Sequence, residues 1–207
     1  LPNCAEFVFA WYASCLVGAI WVPVNPAFDG ELLDYALTDS GSRALVVHRD
    51  LAKALATLPP ATLRGLAWVA VVGGRDGLTL PEGPGRYLDW DALRVEHGPD
   101  PEVPCAYTDV QCVMYTSGTT GRAKGVVMPN GHFFASTGVF LRALELHRDD
   151  VLYTPLPLFH GLASRLGVLP ALMVGAHVHV APKFHASTFW REVTECGATV
   201  GHTIFTI

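Results

Sequence analysis

Tyr115-Thr116-Ser117-Gly118-Thr119-Thr120-Gly121-Arg122-Ala123-Lys124-Gly125 gathers four Ser/Thr hydroxyls, three glycines and one lysine into eleven residues. Glycine lets the backbone turn sharply and aim its N–H groups at a ligand. The hydroxyls of Thr116, Ser117, Thr119 and Thr120 add donors, and Lys124 adds a compact positive charge. A surface turn needs one or two such residues, not the whole set, so the stretch reads as a cradle for a polyphosphate. It is not a Walker A loop, which closes on Gly-Lys-Ser/Thr; Lys124 stands between Ala123 and Gly125. That difference counts against an unrelated P-loop hydrolase.

The flanks say how the cradle is held. Residues 111–115 read as a strand entering the loop and residues 126–128 as a strand leaving it, stopped by Pro129. A strand–loop–strand hairpin would hold the loop at both ends. Downstream, the pattern predicts a helix over 131–146, a strand at 151–154, and a stiff turn, Pro155-Leu156-Pro157-Leu158-Phe159-His160-Gly161. A largely helical run over 162–174 follows, with a kink near Gly167 or Pro170. Then come a strand at 177–180, a helix over 187–196 capped by Ser187, and a last strand at 198–200.

Upstream, Asn3 and Glu6 have the spacing of a capping box for a helix over 4–17. A strand at 20–24 precedes a helix over 30–39 with Asp29 as its cap. A strand at 43–47, a helix over 51–58 stopped by Pro59-Pro60, and a strand at 66–72 complete this part. Short valine-rich runs alternating with helices predict an α/β fold, mostly parallel sheets with helices on both faces. Residues 73–104 are dense in Gly, Pro and charge, with one short helix at 89–96, and read as a surface excursion. The excursion divides a first α/β segment, 1–104, from a second, 105–207, that carries the loop.

Composition bounds the function classes. The chain has 207 residues, half of them hydrophobic and 16% charged, which is a core-rich globular composition. A net charge of −5 with no basic stripe argues against nucleic acid. Cys4, Cys15, Cys105, Cys112 and Cys196 have no metal-ligand spacing and read as reduced thiols, which places the protein in the cytoplasm. Residues 7–28 carry no charge, but Gly18, Pro23 and the absence of flanking Lys or Arg make them a buried helix and strand rather than an integral membrane span. The chain starts without methionine and ends in an apolar run, as a fragment of a larger protein would. His177 and His179 share one face of a strand, but no third metal ligand is placed by the sequence.

Residues 115–126 resemble the phosphate-loop signature of the AMP-forming acyl- and aryl-CoA synthetases, the adenylate-forming superfamily that also holds peptide-synthetase adenylation domains and beetle luciferases. Ala123 departs from the proline usual there, and Asn130 from a frequent histidine; His132 lies two residues further on. Residues 155–161 resemble a second motif of the family, and residues 1–26 its early helix and strand. The resemblance covers essentially the whole chain, as a partial N-terminal (adenylation) domain without the C-terminal domain. Phe184-His185-Ala186-Ser187-Thr188-Phe189-Trp190 and Cys196-Gly197-Ala198-Thr199-Val200 look most like the carnitine/crotonobetaine- and fatty-acid-type CoA ligases.

The resemblance implies an ATP-dependent acid–thiol ligase using ATP, Mg²⁺, CoA and a small-molecule carboxylic acid. Thr116, Ser117, Gly118, Thr119, Thr120, Gly121 and Lys124 would hold the β- and γ-phosphates. His160 would orient the carboxylate and gate CoA entry, with Phe159 as the wall of the acyl pocket. On its residues alone, a histidine after an apolar run is more often structural; the motif reverses that reading. The later motifs of the family lie outside these residues, so the 207 residues alone are expected to be inactive. A catalytically silent ATP-binding or scaffold relative of the same fold is the other reading.

Overall fold

The valine-rich runs pair as parallel strands, and the cradle's flanks pair as an antiparallel hairpin. The computed structural model describes the chain except residues 95–97, 99, 117–121 and 205–207. The order is α1 (Ala5–Leu16), α2 (Gly30–Asp39), β1 (Ala44–His48), α3 (Pro60–Gly65), β2 (Trp68–Val72), β3 (Tyr87–Asp89), β4 (Val110–Thr116), β5 (Lys124–Pro129), α4 (Asn130–Leu144), β6 (Val151–Thr154), α5 (Gly161–Ala163), α6 (Leu169–Val174), β7 (His177–Val180), α7 (Phe189–Glu195) and β8 (Val200–Gly201).

The first sheet, β1-β2-β3, is parallel throughout, running from Ala44↔Trp68 to His48↔Val72 and from Val69↔Tyr87 to Val71↔Asp89. Val69, Ala70 and Val71 are each fully buried, so β2 is covered on both faces. Leu33 and Leu37 of α2 share its core with Leu55, Leu63, Val69 and Val71. The second sheet, β7-β6-β8, is also parallel. The β4–β5 hairpin lies between the two in sequence, and α1 packs against it through Trp11, which shares a core with Cys112, Met128 and Phe133. Phe7 of the same helix joins Leu156, Leu158 and Ala163. The first helix of the chain therefore belongs to the core of residues 105–207.

Several local expectations are corrected. Asn3 does not cap α1; the helix begins after Cys4 with no side-chain cap bond. Its amide instead donates to Leu156 O at 2.9 Å and Ala181 O at 3.0 Å and accepts from Leu158 N–H at 2.8 Å. Residues 20–24 form no strand; Trp21 alone makes a parallel bridge to Cys112, giving N–H to Gln111 O and taking N–H from Val113. Proline at 23 removes the donor that would extend this pairing. Asp29 caps α2 by backbone geometry only, and Thr57 Oγ1 takes the Gly30 N–H at 2.7 Å. Pro59-Pro60 starts α3 rather than simply stopping the preceding 3₁₀ helix (Arg49–Thr57), because proline at a helix's first position loses no bond. The excursion returns to the sheet as β3; of the helix expected at 89–96, residues 95 and 96 lie outside the described ones, and the described part is the 3₁₀ turn Trp90–Leu93. Thr188, not Ser187, precedes α7.

The expected break in the 162–174 helix is a π-helical turn, Ser164–Val168. Pro170 has no N–H to offer the carbonyl of Leu166, so the α pattern cannot run through and one wider turn absorbs the mismatch.

Candidate active site

The hairpin carries the site on one face. Thr116↔Lys124, Met114↔Val126 and Cys112↔Met128 are directly paired, and alternate pairs of a ladder point the same way. Thr116, Met114, Val126 and Met128 line one wall of a cavity of about 400 Å³, closed opposite by Leu156, Pro157, His160, Gly161, Leu162, Arg165 and Ile204. The phosphate-loop flanks and the His160 turn, some forty residues apart in the chain, thus border one space.

Lys124 and Thr116 form the rung next to the loop, both exposed, with the Thr116 hydroxyl donating to Lys124 O at 3.4 Å. Ser117, Gly118, Thr119, Thr120 and Gly121 lie outside the described residues. The opposite face of the hairpin rests on α2. Tyr115 donates to Asp39 Oδ2 at 2.7 Å, and its ring meets Tyr35 edge-on at 6.1 Å. Burial, then the Asp39 carboxylate, raises the Tyr115 pKa, so the phenol stays a donor. Past the loop, Arg122 lies over the Tyr35 ring at 5.3 Å and reaches Glu31 at 3.8 Å. One helix therefore braces both ends of the loop. Gly125 permits this: a Cβ there would stand 3.0 Å from Val113 Cγ1 and 3.4 Å from the Tyr115 ring.

His160 begins α5, with the Phe159 ring 4.2 Å away at 41°. The histidine is exposed, and the desolvated side of its ring lowers its pKa, favouring neutral imidazole at neutral pH. The Leu156–Leu158 segment that delivers it is pinned by Asn3 through the three bonds given above. Gly161 lets the turn approach the hairpin, since a Cβ there would stand 3.3 Å from Met114 Sδ.

Thr116 and His160 line one cavity; Lys124 is the strand partner of Thr116 and Phe159 lies beside His160, though neither of these two lines it. Sequence reasoning missed Asp39, Tyr35, Asn3 and Arg165. Arg165 gives its Nη1 hydrogen to His132 Nε2, while Asn130 turns away to Ala106 O at 2.9 Å. Of the two, His132 is the one that reaches a cavity-lining residue. Among the described residues no group of three His, Cys, Asp or Glu side chains could hold a metal ion, His177 and His179 included. No chemistry is assigned to Mg²⁺ here. No helix of the described residues is long and apolar enough to cross a membrane.

A family model described as AMP-binding enzyme matches residues 1–207. The chain is 28% identical over 209 residues to the long-chain-fatty-acid–CoA ligase FadD13 of Mycobacterium tuberculosis, covering 99% of this chain and 38% of that protein. It is 28% identical over 205 residues to a crotonobetaine/carnitine–CoA ligase of Salmonella paratyphi A, covering 99% of this chain and 39% of that one. Among solved structures, a long-chain-fatty-acid CoA ligase described from Rhodopseudomonas palustris matches with a TM-score of 0.81 at 24% identity, over 97% of this chain and 48% of that one; this likeness speaks for the fold alone. The chain thus spans about two-fifths of the length of the curated relatives it matches.

Proposed function

Because this chain belongs to the AMP-binding enzyme family, we propose that it forms the phosphate clamp and one side of the acyl pocket of an ATP-dependent acid–thiol ligase. Residues 1–104 and 105–207 are then two segments of one adenylation domain. A carboxylate oxygen attacks the α-phosphorus of ATP, forming the O–P bond of an acyl-adenylate as the bond to pyrophosphate breaks. The thiol sulfur of CoA then attacks the acyl carbon, and AMP leaves with the former carboxylate oxygen.

The observation that carries this reading is the shared cavity wall. Thr116, the rung partner of Lys124, and His160 open on the same space, and the wall between them is apolar Met114, Val126 and Leu156. An apolar slot ending at a phosphate-binding turn suits an acid whose carboxylate must meet a nucleotide. Lys124, the Thr116, Ser117, Thr119 and Thr120 hydroxyls, and the Gly118 and Gly121 N–H groups would stabilise charge that grows on the leaving pyrophosphate. The loop supplies no base and needs none, because a carboxylate is already the nucleophile. Neutral His160 would orient that carboxylate without a competing charge, then swing to admit the thiol, with Phe159 as the adjoining wall. The 207 residues on their own are proposed to be inactive.

Acid-dependent release of pyrophosphate from ATP, measured with a panel of carboxylic acids on the natural polypeptide containing this sequence, tests the proposal. Release that requires an acid and yields AMP and a thioester once CoA is added is expected. Release of inorganic phosphate and ADP instead would overturn it.

A further inference from the structure

Arg165 is the one permanent charge among the described residues that line the cavity. A guanidinium has five N–H donors and no acceptor, so folding it against protein normally demands carboxylates or carbonyls. Here neither is present among the described residues. No carboxylate pairs with Arg165 in any ion pair of the chain's described residues. Its Nε is buried without a hydrogen-bond partner. Its Nη1 meets only His132 Nε2 and, at 3.9 Å, the weakly accepting Met128 Sδ. Nε and Nη2 lie on the Gly161 side, each 3.6 Å from where a Cβ on that residue would be. Desolvation lowers the arginine's pKa, in keeping with a charge that lacks a counterion.

The surroundings make this costlier as a merely structural arrangement. Besides His132, the guanidinium meets Met128 Sδ, a poor acceptor. The π turn and Gly161 both serve to place it: the first sets Arg165 within the wide turn, and the second leaves room beside its Nε.

Position along the hairpin adds direction. Met128 belongs to the Cys112↔Met128 rung, and the Thr116↔Lys124 rung lies four residues on, about 13 Å along the strand. The cavity therefore has a phosphate-facing end and a cationic end, joined by an apolar wall. We propose that the acid activated here carries a second anionic group on its acyl chain, held by Arg165 while the reacting carboxylate faces the loop. The substrate class is a dicarboxylic acid. His132 acts as a positioning residue: by accepting from Nη1 it leaves Nη2 to grip the distal carboxylate. This inference rests on the ligase reading above.

The test compares acids of equal chain length in the natural polypeptide: hexanoate against adipate, and octanoate against suberate, read as kcat/KM for acid-dependent pyrophosphate release. At least one diacid is expected to be preferred over its monoacid partner by about tenfold or more, because a site that hydrogen-bonds a polar group rejects the analogue lacking it. Arg165→Met reverses the ratio, and Arg165→Lys retains part of the preference as a point charge without the fork. A wild-type preference for both monoacids overturns the inference and leaves the ligase reading standing, as does a ratio that Arg165→Met does not move. Turnover of no carboxylic acid at all removes the ligase reading and this inference with it. The wild-type comparison stands even if a variant fails to fold.

Discussion

Thr116 and Lys124 face each other across the last rung of the β4–β5 hairpin, and the same rung borders the cavity that reaches His160. The pairing matters because it fixes where the loop begins and ends. On the proposed reading, a ligand of the loop would be delivered to one mouth of an apolar slot. The reverse face of the hairpin is held by α2, so the placement of the rung depends on residues nearly eighty positions upstream.

That dependence is testable at Tyr115. Its hydroxyl bonds Asp39 at 2.7 Å on the face away from the cavity, so it cannot touch a ligand in the slot. Tyr115→Phe is expected to cost about 1 kcal/mol of stability, the usual worth of one such bond. It should also raise the KM for ATP several-fold while leaving that for the acid nearly unchanged. Urea unfolding and steady-state kinetics would check this. A matched rise in both KM values would argue that α2 does not brace the loop.

Asn3 makes a second long-range brace. Its three bonds join the start of the chain to Leu156, Leu158 and Ala181 and so fix the approach to Phe159 and His160. Asn3→Ala leaves two half-buried carbonyls and one N–H without partners, at a cost of about 2–3 kcal/mol. Turnover should fall with the loosened histidine. Asn3→Asp should restore little, because a carboxylate cannot donate to Leu156 O or Ala181 O. Unfolding midpoints near wild type in both variants would contradict this account.

How much of this was legible beforehand follows from the range of each interaction. The strands around Val46, Val69 and Val126 are local apolar runs, so pattern was enough for them. The turn ending at His160 was visible for the same reason. Asn3, Asp39 and Arg165 were not. Each works by meeting atoms 33 to 178 residues away, and nothing in periodicity or composition marks a side chain for a partner so distant. Asn3 shows how a local rule misleads: the capping-box spacing with Glu6 was present, and tertiary contacts outbid it. The strand expected at 20–24 failed on a local detail, Pro23, which limited it to one bridge at Trp21.

Two histidines give the protein an acid sensitivity of definite sign. Burial lowers the pKa of both His160 and His202. The unfolded chain then takes up protons at higher pH than the folded one, so between the two sets of pKa values stability rises with pH. Stability is expected to fall as the pH drops through about 6.5 and to level off below the folded values. His202, whose buried Nδ1 has no partner, should carry part of this, so the drop should shrink in His202→Gln. Urea midpoints across that range would show it. A wild-type midpoint that rises on acidification would contradict the assignment.

The central claim is that the loop and its closing rung hold the phosphates of ATP beside the acyl slot. Acid-dependent pyrophosphate release by Lys124→Ala, compared with wild type in the natural polypeptide containing this chain, tests it most directly. Loss of a charge contact that strengthens as pyrophosphate leaves predicts a fall in kcat of about 10²–10³ with folding unchanged. A variant that folds normally and releases pyrophosphate within about twofold of wild type would show that Lys124 is only a surface charge, and would contradict the phosphate-clamp account.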